Sequence, residues 1–276
     1  MNEKTTKILF ALALALLVKL PLLLVSSDTQ AADPTGLLKL GGRYVKWGPA
    51  AYGTPAEITY ARLTEARAFP GARNCAQMRP VDALLQRSGL VVGEFDREVD
   101  AAFAVWAKAS NLRFRRVARA QDAQIIIGAQ GDNRGIAWTN VFQERQAASG
   151  IDRIRRATIC LNPARPWEIG ADGDPETFNL RYVAVHEIGH AIGLDHQGRD
   201  GGVMGFAYRE PATRSGQVRL AASDVTAAIR LYGPAEGTAP VRIASRAAGA
   251  PGATQPCATE TALSPTIGCG LAARAR

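Results

Sequence analysis

The chain has 276 residues, of which 47% are hydrophobic and 21% are charged, and its formal net charge is +8. This length suffices for one domain of ordinary size with extra segments and a core that needs no added cross-links. Most basic residues are arginines scattered among alanines, without the aromatic clustering of a nucleic-acid surface. The composition therefore indicates a solvated basic surface and argues against a nucleic-acid partner.

Residues 1–31 have the composition of a secretory signal peptide. Lys4 and Lys7 precede an apolar run that continues to Val25, and small residues follow near Ala31. We expect cleavage there, which predicts a secreted, periplasmic or extracellular protein without a stable membrane partner. The alternative is an uncleaved anchor, because the apolar run is just long enough to span a bilayer although Lys19 interrupts it.

Export would place the four cysteines in an oxidising compartment and permit two disulfides. Three pairings are possible. Cys257 and Cys269 would close a short loop, which leaves Cys75 with Cys160, and we favour this arrangement.

Glycine and proline are frequent over residues 32–55, which we expect to form an N-terminal arm before a domain at residues 56–234. A helix at 96–110 is predicted from apolar residues at three- and four-residue spacing. For residues 70–94 two interpretations remain, packing on the back of a sheet or reshaping one side of a cleft, and we favour the first. The other predicted elements are strands at 58–61, 112–117, 124–128 and 135–142, a small helix near 81–86, a helix at 178–194, and a last helix that starts at 221 or 223 and ends at 231.

The stretch HEIGHAIGLDH, residues 186–196, contains all three histidines of the chain. His186 and His190 are four residues apart, so a helix projects both imidazoles from one face, as two ligands of one tetrahedral ion require. Glu187 lies beside them, where a carboxylate reaches a metal-bound water as a general base without binding the metal.

The third histidine, His196, cannot reach the metal from the same helix face. Six helical steps separate His196 from His190 and would carry it off the metal-facing side, so the helix must end between them. Gly193 is placed to end it, because glycine readily adopts the left-handed conformation that turns the chain back. Three protein ligands would leave a fourth position for water.

The spacing HExxHxxGxxH resembles that of the metzincin zinc peptidases. Met204, eight residues after His196, lies at the offset of the Met-turn in the matrixins, the matrix metalloproteinase group. The run Val99-Asp100-Ala101-Ala102-Phe103 with Trp106 also resembles the first matrixin helix. The resemblance implies an α+β fold in which a twisted mixed β-sheet packs on two long helices, with a short C-terminal helix after the Met-turn.

Further residues take their expected roles from this resemblance. Tyr208 would line the primed-side substrate pocket, and the strand at 135–142 would form the upper rim of the cleft, with a free edge able to pair with an extended peptide. Trp138 and Thr158 replace the histidines of the family's structural zinc site, and Cys160 and Asn162 replace calcium-binding aspartates. A Cys75–Cys160 bridge would then supply the lost stiffening.

Three alternatives remain open. Cys75 is also a candidate for a cysteine switch, a thiolate on the catalytic metal, although it follows the first strand of the domain instead of preceding it. Residues 172–174, Asp-Gly-Asp, form either a calcium loop or an ordinary turn, and we favour the turn. Asp224 either supports the Met-turn or serves only as an N-terminal charge of the last helix.

The composition of residues 235–276, which are rich in Ala, Pro and Gly, predicts a flexible tail.

The resemblance implies a secreted or periplasmic zinc endopeptidase, in which Glu187 is the general base and the three histidines hold one Zn²⁺. We expect protein or peptide substrates, as for extracellular matrix peptidases, and a monomer. Calcium is possible but nothing specific supports it. Two alternatives are a zinc amidase acting on cell-wall peptides and a non-catalytic peptide-binding protein on the same fold.

Overall fold

The structure is a computed structural model that describes residues 35–170, 176–197, 202–208 and 217–237, together with the backbone of residues 266–269. The predicted signal peptide, the Asp-Gly-Asp segment at 172–174 and Cys257 lie outside the described residues. Within the described part of the chain, no helix has both the length and the apolar composition needed to cross a membrane.

The described helices are α1 (Asp82–Ser88), α2 (Val92–Ala109), α3 (Leu180–Ala191) and α4 (Ala222–Tyr232), and a short 3-10 helix spans Ala120–Asp122. The strands are β1 (Lys39–Leu40), β2 (Arg43–Lys46), β3 (Ala56–Arg62), β4 (Arg67–Ala68), β5 (Gln77–Arg79), β6 (Leu112–Arg116), β7 (Ile125–Gln130), β8 (Ala137–Glu144), β9 (Ile151–Leu161), β10 (Trp167–Glu168), β11 (Phe178–Asn179) and β12 (Thr266–Cys269).

The centre of the main sheet has the strand order β6-β3-β7-β9-β8. The pairs among β6, β3, β7 and β9 are parallel, whereas β8 is antiparallel to β9. Strand β7 is buried along its whole length, as its unbroken apolar sequence predicts for a central strand. The helices and this mixed sheet confirm the predicted α+β fold class.

The two faces of the sheet bury different residues, as the two-residue period of a strand requires. Ile125 and Ile127 of β7 pack in the large core that includes the helices. Ile126, between them, packs in a smaller cluster on the other face with Met78 and Cys160. Residues 69–78 thus cover the back of the sheet, which agrees with the interpretation that we favoured for the first part of the 70–94 segment. That interpretation is wrong for the next part, because Val81, Leu84, Leu85 and Leu90 pack in the large core on the other face.

Cys75 and Cys160 form a disulfide within this smaller cluster. The predicted pairing of these two cysteines is therefore confirmed. A sulfur atom in a disulfide is not a thiolate, so the alternative in which Cys75 caps a metal ion is wrong. The pairing of Cys257 with Cys269 stays a prediction, because Cys257 and the side chain of Cys269 lie outside the described residues.

Two long helices pack together beneath the sheet and hold the metal-ligand motif in place. The indole Nε1 of Trp106 in α2 donates to the backbone oxygen of Val185 in α3 at 2.8 Å. Arg181 of α3 makes two hydrogen bonds of 2.7 Å to the Glu98 carboxylate of α2. The predicted apolar stripe of α2 is buried core, as expected.

The segment predicted as an N-terminal arm contributes two strands to the sheet. Strand β2 pairs in parallel with the start of β9, and β1 pairs with β2. Leu37, Leu38 and Trp47 are buried in the large core. The indole of Trp47 donates to the backbone oxygen of Ala191 at 2.8 Å, so this segment packs against the end of α3.

The edge of β8 that faces away from β9 pairs with β12, which lies in the predicted flexible tail. The pairing is antiparallel and sets Thr266 opposite Phe142 and Cys269 opposite Thr139. The expectation of a free edge on this strand was therefore wrong for the described chain. Composition gave no sign of it, because β12 has only four residues in an Ala/Pro/Gly-rich tail.

Candidate metal centre

Helix α3 carries His186, Glu187 and His190, and both of its ends are fixed by local hydrogen bonds. At the start, the Asn179 side chain accepts a hydrogen bond from the backbone nitrogen of Tyr182 at 2.8 Å, which satisfies one of the unpaired N–H groups of the first turn. The helix begins at Leu180, two residues later than predicted, because this N-cap precedes it.

The other end of α3 is a Schellman turn with glycine at the left-handed position. Gly193 has φ +95°. Its nitrogen donates to the His190 oxygen at 3.0 Å, and the nitrogen of Leu194 donates to the Gly189 oxygen at 2.9 Å. A Cβ at Gly193 would collide with the backbone oxygen of Val45. This turn ends the helix as predicted and brings His196 back beside His190.

Two backbone oxygens hold the imidazoles of the helix in one tautomer. His186 Nδ1 lies 2.7 Å from the Val203 oxygen, and His190 Nδ1 lies 2.9 Å from the Leu194 oxygen. Because a carbonyl oxygen only accepts hydrogen bonds, each Nδ1 must carry the proton. Each Nε2 is then a lone-pair donor directed into the site.

The three Nε2 atoms converge on one point. His190 Nε2 lies 3.1 Å from His186 Nε2 and 3.3 Å from His196 Nε2. The unprotonated Nε2 atoms of His186 and His190 cannot hydrogen-bond to each other, whereas a tetrahedral ion with Zn–N bonds of about 2.0–2.1 Å separates its ligand nitrogens by about 3.3 Å. The donors present thus fit a zinc ion in both chemistry and spacing. Within the described residues, His186, His190 and His196 form a group whose ligand atoms lie close enough together to hold one metal ion.

Burial keeps these imidazoles neutral. Burial lowers the pKa of His190 to about 4. Burial also lowers the pKa values of His186 and His196 well below the usual value for histidine, and the neighbouring histidines lower them further. Neutral imidazole is the form that binds a metal, so the pocket favours the ligand state at neutral pH.

Met204 packs beneath the histidines, as expected for a Met-turn. Its side chain is fully buried, and a Cβ at Gly189 would collide with its sulfur atom, so the two are in close contact between the helical histidines. The Met204 backbone oxygen accepts a hydrogen bond from the Gln197 nitrogen at 2.7 Å, which ties this turn to the residue after His196.

Asp224 performs both of the roles that the sequence left open. Its buried carboxylate accepts hydrogen bonds of 3.0 Å from the backbone nitrogens of Val203 and Ala221. The first bond supports the turn whose Val203 oxygen orients His186, and the second caps the start of α4. Gly202 is needed at this contact, because a Cβ there would lie 2.6 Å from the Asp224 carboxylate.

Glu187 is buried beside the histidines and contacts strand β8. The hydroxyl Oγ1 of Thr139 lies 2.6 Å from Glu187 Oε2 and 3.0 Å from the Glu187 backbone oxygen. A backbone oxygen and an ionised carboxylate only accept hydrogen bonds, so when Glu187 is ionised the single hydrogen of the Thr139 hydroxyl is shared between these two oxygens. Sequence reasoning missed this residue, because it precedes Glu187 by 48 positions and only the sheet register brings them together.

Tyr208 lies at the first turn of α3. Its hydroxyl accepts a hydrogen bond from the Asn179 nitrogen at 2.9 Å, and its ring packs edge-on against Phe178 and Tyr182. Phe206 packs edge-on against the His196 ring at 5.1 Å. The predicted place of Tyr208 in a substrate pocket stays a prediction, whereas its contact with the site-bearing helix is a structural fact.

The matrixin family model matches residues 85–233, which is more than half of the chain and includes the whole histidine motif. The chain belongs to the matrixin family. Membership confirms the predicted metzincin resemblance, and the family implies a catalytic zinc. Family membership and the three convergent histidines together identify this chain as a metallopeptidase in sequence and fold.

Several curated matrixin relatives are similar to this chain over about half of its length. A probable matrix metalloproteinase of Invertebrate iridescent virus 3 is 33% identical over 145 residues, which is 48% of this chain and 36% of the viral protein. Interstitial collagenase of Bos taurus is 28% identical over 154 residues, 54% of this chain and 30% of the collagenase. Metalloendoproteinase 1-MMP of Arabidopsis thaliana is 30% identical over 138 residues, 48% of this chain and 36% of the plant protein. The matches thus span about a third of these relatives.

Proposed function

We propose that this matrixin is a zinc-dependent endopeptidase in which His186, His190 and His196 hold the metal and Glu187 is the general base. The observation that carries the proposal is the convergence of three histidine Nε2 atoms at ligand spacing, next to a buried carboxylate. Such a site supports metal-assisted hydrolysis of a carbonyl compound. The relatives named as metalloproteinases support a peptide as the substrate class.

Bound zinc would supply a Lewis acid and a water of lowered pKa at neutral pH. The chain's own residues would orient the metal ligands and transfer the proton. His186 and His190 remain neutral and are held by the Val203 and Leu194 oxygens, so the protein itself orients two of the three ligands. Glu187 takes a proton from the attacking water and returns it to the leaving amine.

The Glu187→Ala variant tests the assigned base. We expect it to bind zinc as the parent does and to lose at least about a hundredfold in kcat for peptide hydrolysis, because positioned general bases contribute that much. Glu65→Ala is the matched control, since Glu65 is exposed and lies in the loop between β3 and β4. Peptide hydrolysis by Glu187→Ala within tenfold of the parent would contradict the role of Glu187. Zinc-bound parent protein without any peptide hydrolysis would favour a binding protein.

We also propose that the chain is exported. The Cys75–Cys160 disulfide supports this proposal, because structural disulfides persist in oxidising compartments and are rare in the cytosol. Fractionation of cells that produce the full chain tests it. Recovery of the mature protein outside the cytoplasm, with an N-terminus near Ala31, is expected, and a full-length cytoplasmic protein would contradict it.

A further inference from the structure

The buried hydroxyl of Thr139 contacts the carboxylate to which we assigned the proton transfer. The Thr139 side chain is 1% exposed and Glu187 is fully buried. At 2.6 Å, the bond from Oγ1 to Oε2 has the length of a hydrogen bond strengthened by a charged acceptor. A contact of this kind fixes the plane of a carboxylate that otherwise turns about three side-chain bonds.

The hydroxyl itself is held by the sheet. Thr139 lies opposite Ile159 in the antiparallel pairing of β8 with β9, away from either end of the ladder. A β-branched side chain has few rotamers, so a fixed backbone also fixes the hydroxyl. Catalytic groups must be held to within about 0.5 Å of their productive geometry, and a rigid strand supports this better than a loop.

We propose that Thr139 is a positioning residue that orients Glu187 for proton transfer. The inference rests on the proposed function. Oε2 is held by the hydroxyl, so the carboxylate presents Oε1 to the attacking water in one orientation. Loss of the hydroxyl leaves the base in place but disordered, which lowers kcat and leaves peptide binding unchanged.

Two substitutions separate positioning from packing. Thr139→Val keeps the shape and removes the hydroxyl, whereas Thr139→Ser keeps the hydroxyl and removes a methyl group. We expect kcat to fall about tenfold in the valine variant, with KM within about twofold, and the serine variant to retain kcat within about threefold. Equal loss in both variants, or an unchanged kcat in the valine variant, overturns the proposal.

A second readout does not depend on turnover. In metal-free protein labelled with ¹³C at glutamate carboxyls, the Glu187 resonance is assigned by its loss in Glu187→Gln. We expect it to shift in Thr139→Val and to stay near the parent position in Thr139→Ser. An unchanged resonance in the valine variant contradicts the hydrogen bond. Absence of peptide hydrolysis in the parent would contradict the proposed function instead.

A separate observation concerns the edge of β8. Strand β12 pairs along residues 139–142, and its register ends opposite Thr139, the residue that touches Glu187. Any extended chain on this edge therefore passes beside the candidate base. A peptide that adds itself to the edge as a strand needs the same backbone donors and acceptors as β12.

We infer that residues 266–269 compete with peptide substrates for the β8 edge, so that the chain's own C-terminal segment acts as an internal competitive inhibitor. This inference also rests on the proposed function. A tethered segment acts at a high effective concentration, which raises the apparent KM for an external peptide and leaves kcat unchanged.

The double variant Ile267→Pro/Gly268→Pro tests the competition in the full chain. Successive residues of a strand direct their N–H groups to opposite sides, so one of the two prolines always removes a donor to β8. Ala273→Pro is the control, because it lies beyond the paired residues. We expect KM to fall at least about threefold in the double variant, with kcat within about twofold, and to be unchanged in the control.

Hydrogen exchange of the metal-free protein provides the activity-independent readout. Backbone amides of residues 139–142 that face β12 should exchange faster in the double proline variant than in the parent or the control. The same exchange rates and the same KM in all three proteins overturn the inference. If none of the three hydrolyses peptides, the proposed function fails, and hydrogen exchange still decides whether the strand pairs.

Discussion

At the scale of single residues, the neutral imidazoles link the site to the stability of the metal-free protein. Unfolded histidines have pKa values of about 6.5, whereas burial lowers the pKa of His190 to about 4. Between these values the unfolded chain binds more protons than the folded chain. The free energy of unfolding therefore falls as the pH is lowered from about 6.5 towards 4.

Urea unfolding of the metal-free protein at a series of pH values measures this effect. We expect His190→Gln to show a shallower fall than the parent, because one of the three titrating groups is gone. A free energy of unfolding that is constant or increases as the pH is lowered through this window contradicts the neutral-histidine account.

The residues of the site differ in how far the sequence reveals them. His186, Glu187, His190, Gly193 and His196 lie within eleven consecutive positions, where helix geometry and one glycine turn decide which side chains meet. The partners that orient them come from elsewhere. Thr139 and the Val203 oxygen depend on the sheet register and on loop conformation, and no local pattern predicts either.

At the scale of elements, Gly193 joins the end of α3 to the N-terminal strands. Gly193→Ala should reduce the free energy of unfolding by more than about 2 kcal/mol, because alanine is strained at a left-handed φ and its Cβ would meet the Val45 oxygen. Gly41→Ala is the control, since Gly41 also has a left-handed φ, +57°, but open space where a Cβ would lie.

Chemical denaturation of both glycine variants measures the difference. Gly41→Ala should lose only about 1 kcal/mol from the backbone conformation alone. An equal loss in the two variants would show that the contact with Val45 has no effect, and that the close packing of β2 on the turn is not what requires glycine.

Long periodic elements were the ones that sequence predicted well. Helix α2 and the buried strand β7 were expected almost where they lie, because their apolar spacing extends over many residues. Strands β1 and β12 were not expected, because each is very short, two and four residues, and forms by pairing with another strand, not by its own propensity. Strand β9, the longest described strand at 11 residues, was not expected either, because its buried positions do not follow a regular two-residue alternation.

At the scale of the whole molecule, the Cys75–Cys160 disulfide cross-links residues 85 positions apart on the back of the sheet. A closed loop of this length removes about 4–5 kcal/mol of chain entropy from the unfolded state in the simplest estimate, although measured values are nearer 2–4 kcal/mol. Cys75→Ala/Cys160→Ala should therefore lose roughly 2–4 kcal/mol of unfolding free energy, by urea denaturation.

The matched control is Cys257→Ala/Cys269→Ala, which keeps the loop between residues 75 and 160 closed. We expect it to lose much less stability than the first double variant. An equal loss in both would mean that the disulfide on the back of the sheet does not stiffen the domain, and the expectation that it replaces a structural metal would then fail.

The most direct test of the central claim is a zinc titration of the metal-free protein followed by peptide hydrolysis. The account predicts that hydrolysis rises in proportion to added zinc and stops rising at one ion per chain, because three histidines hold a single ion. His196→Ala should abolish this stoichiometric rise. Peptide hydrolysis by the metal-free protein in excess chelator, or no activity at any zinc concentration, would contradict the account.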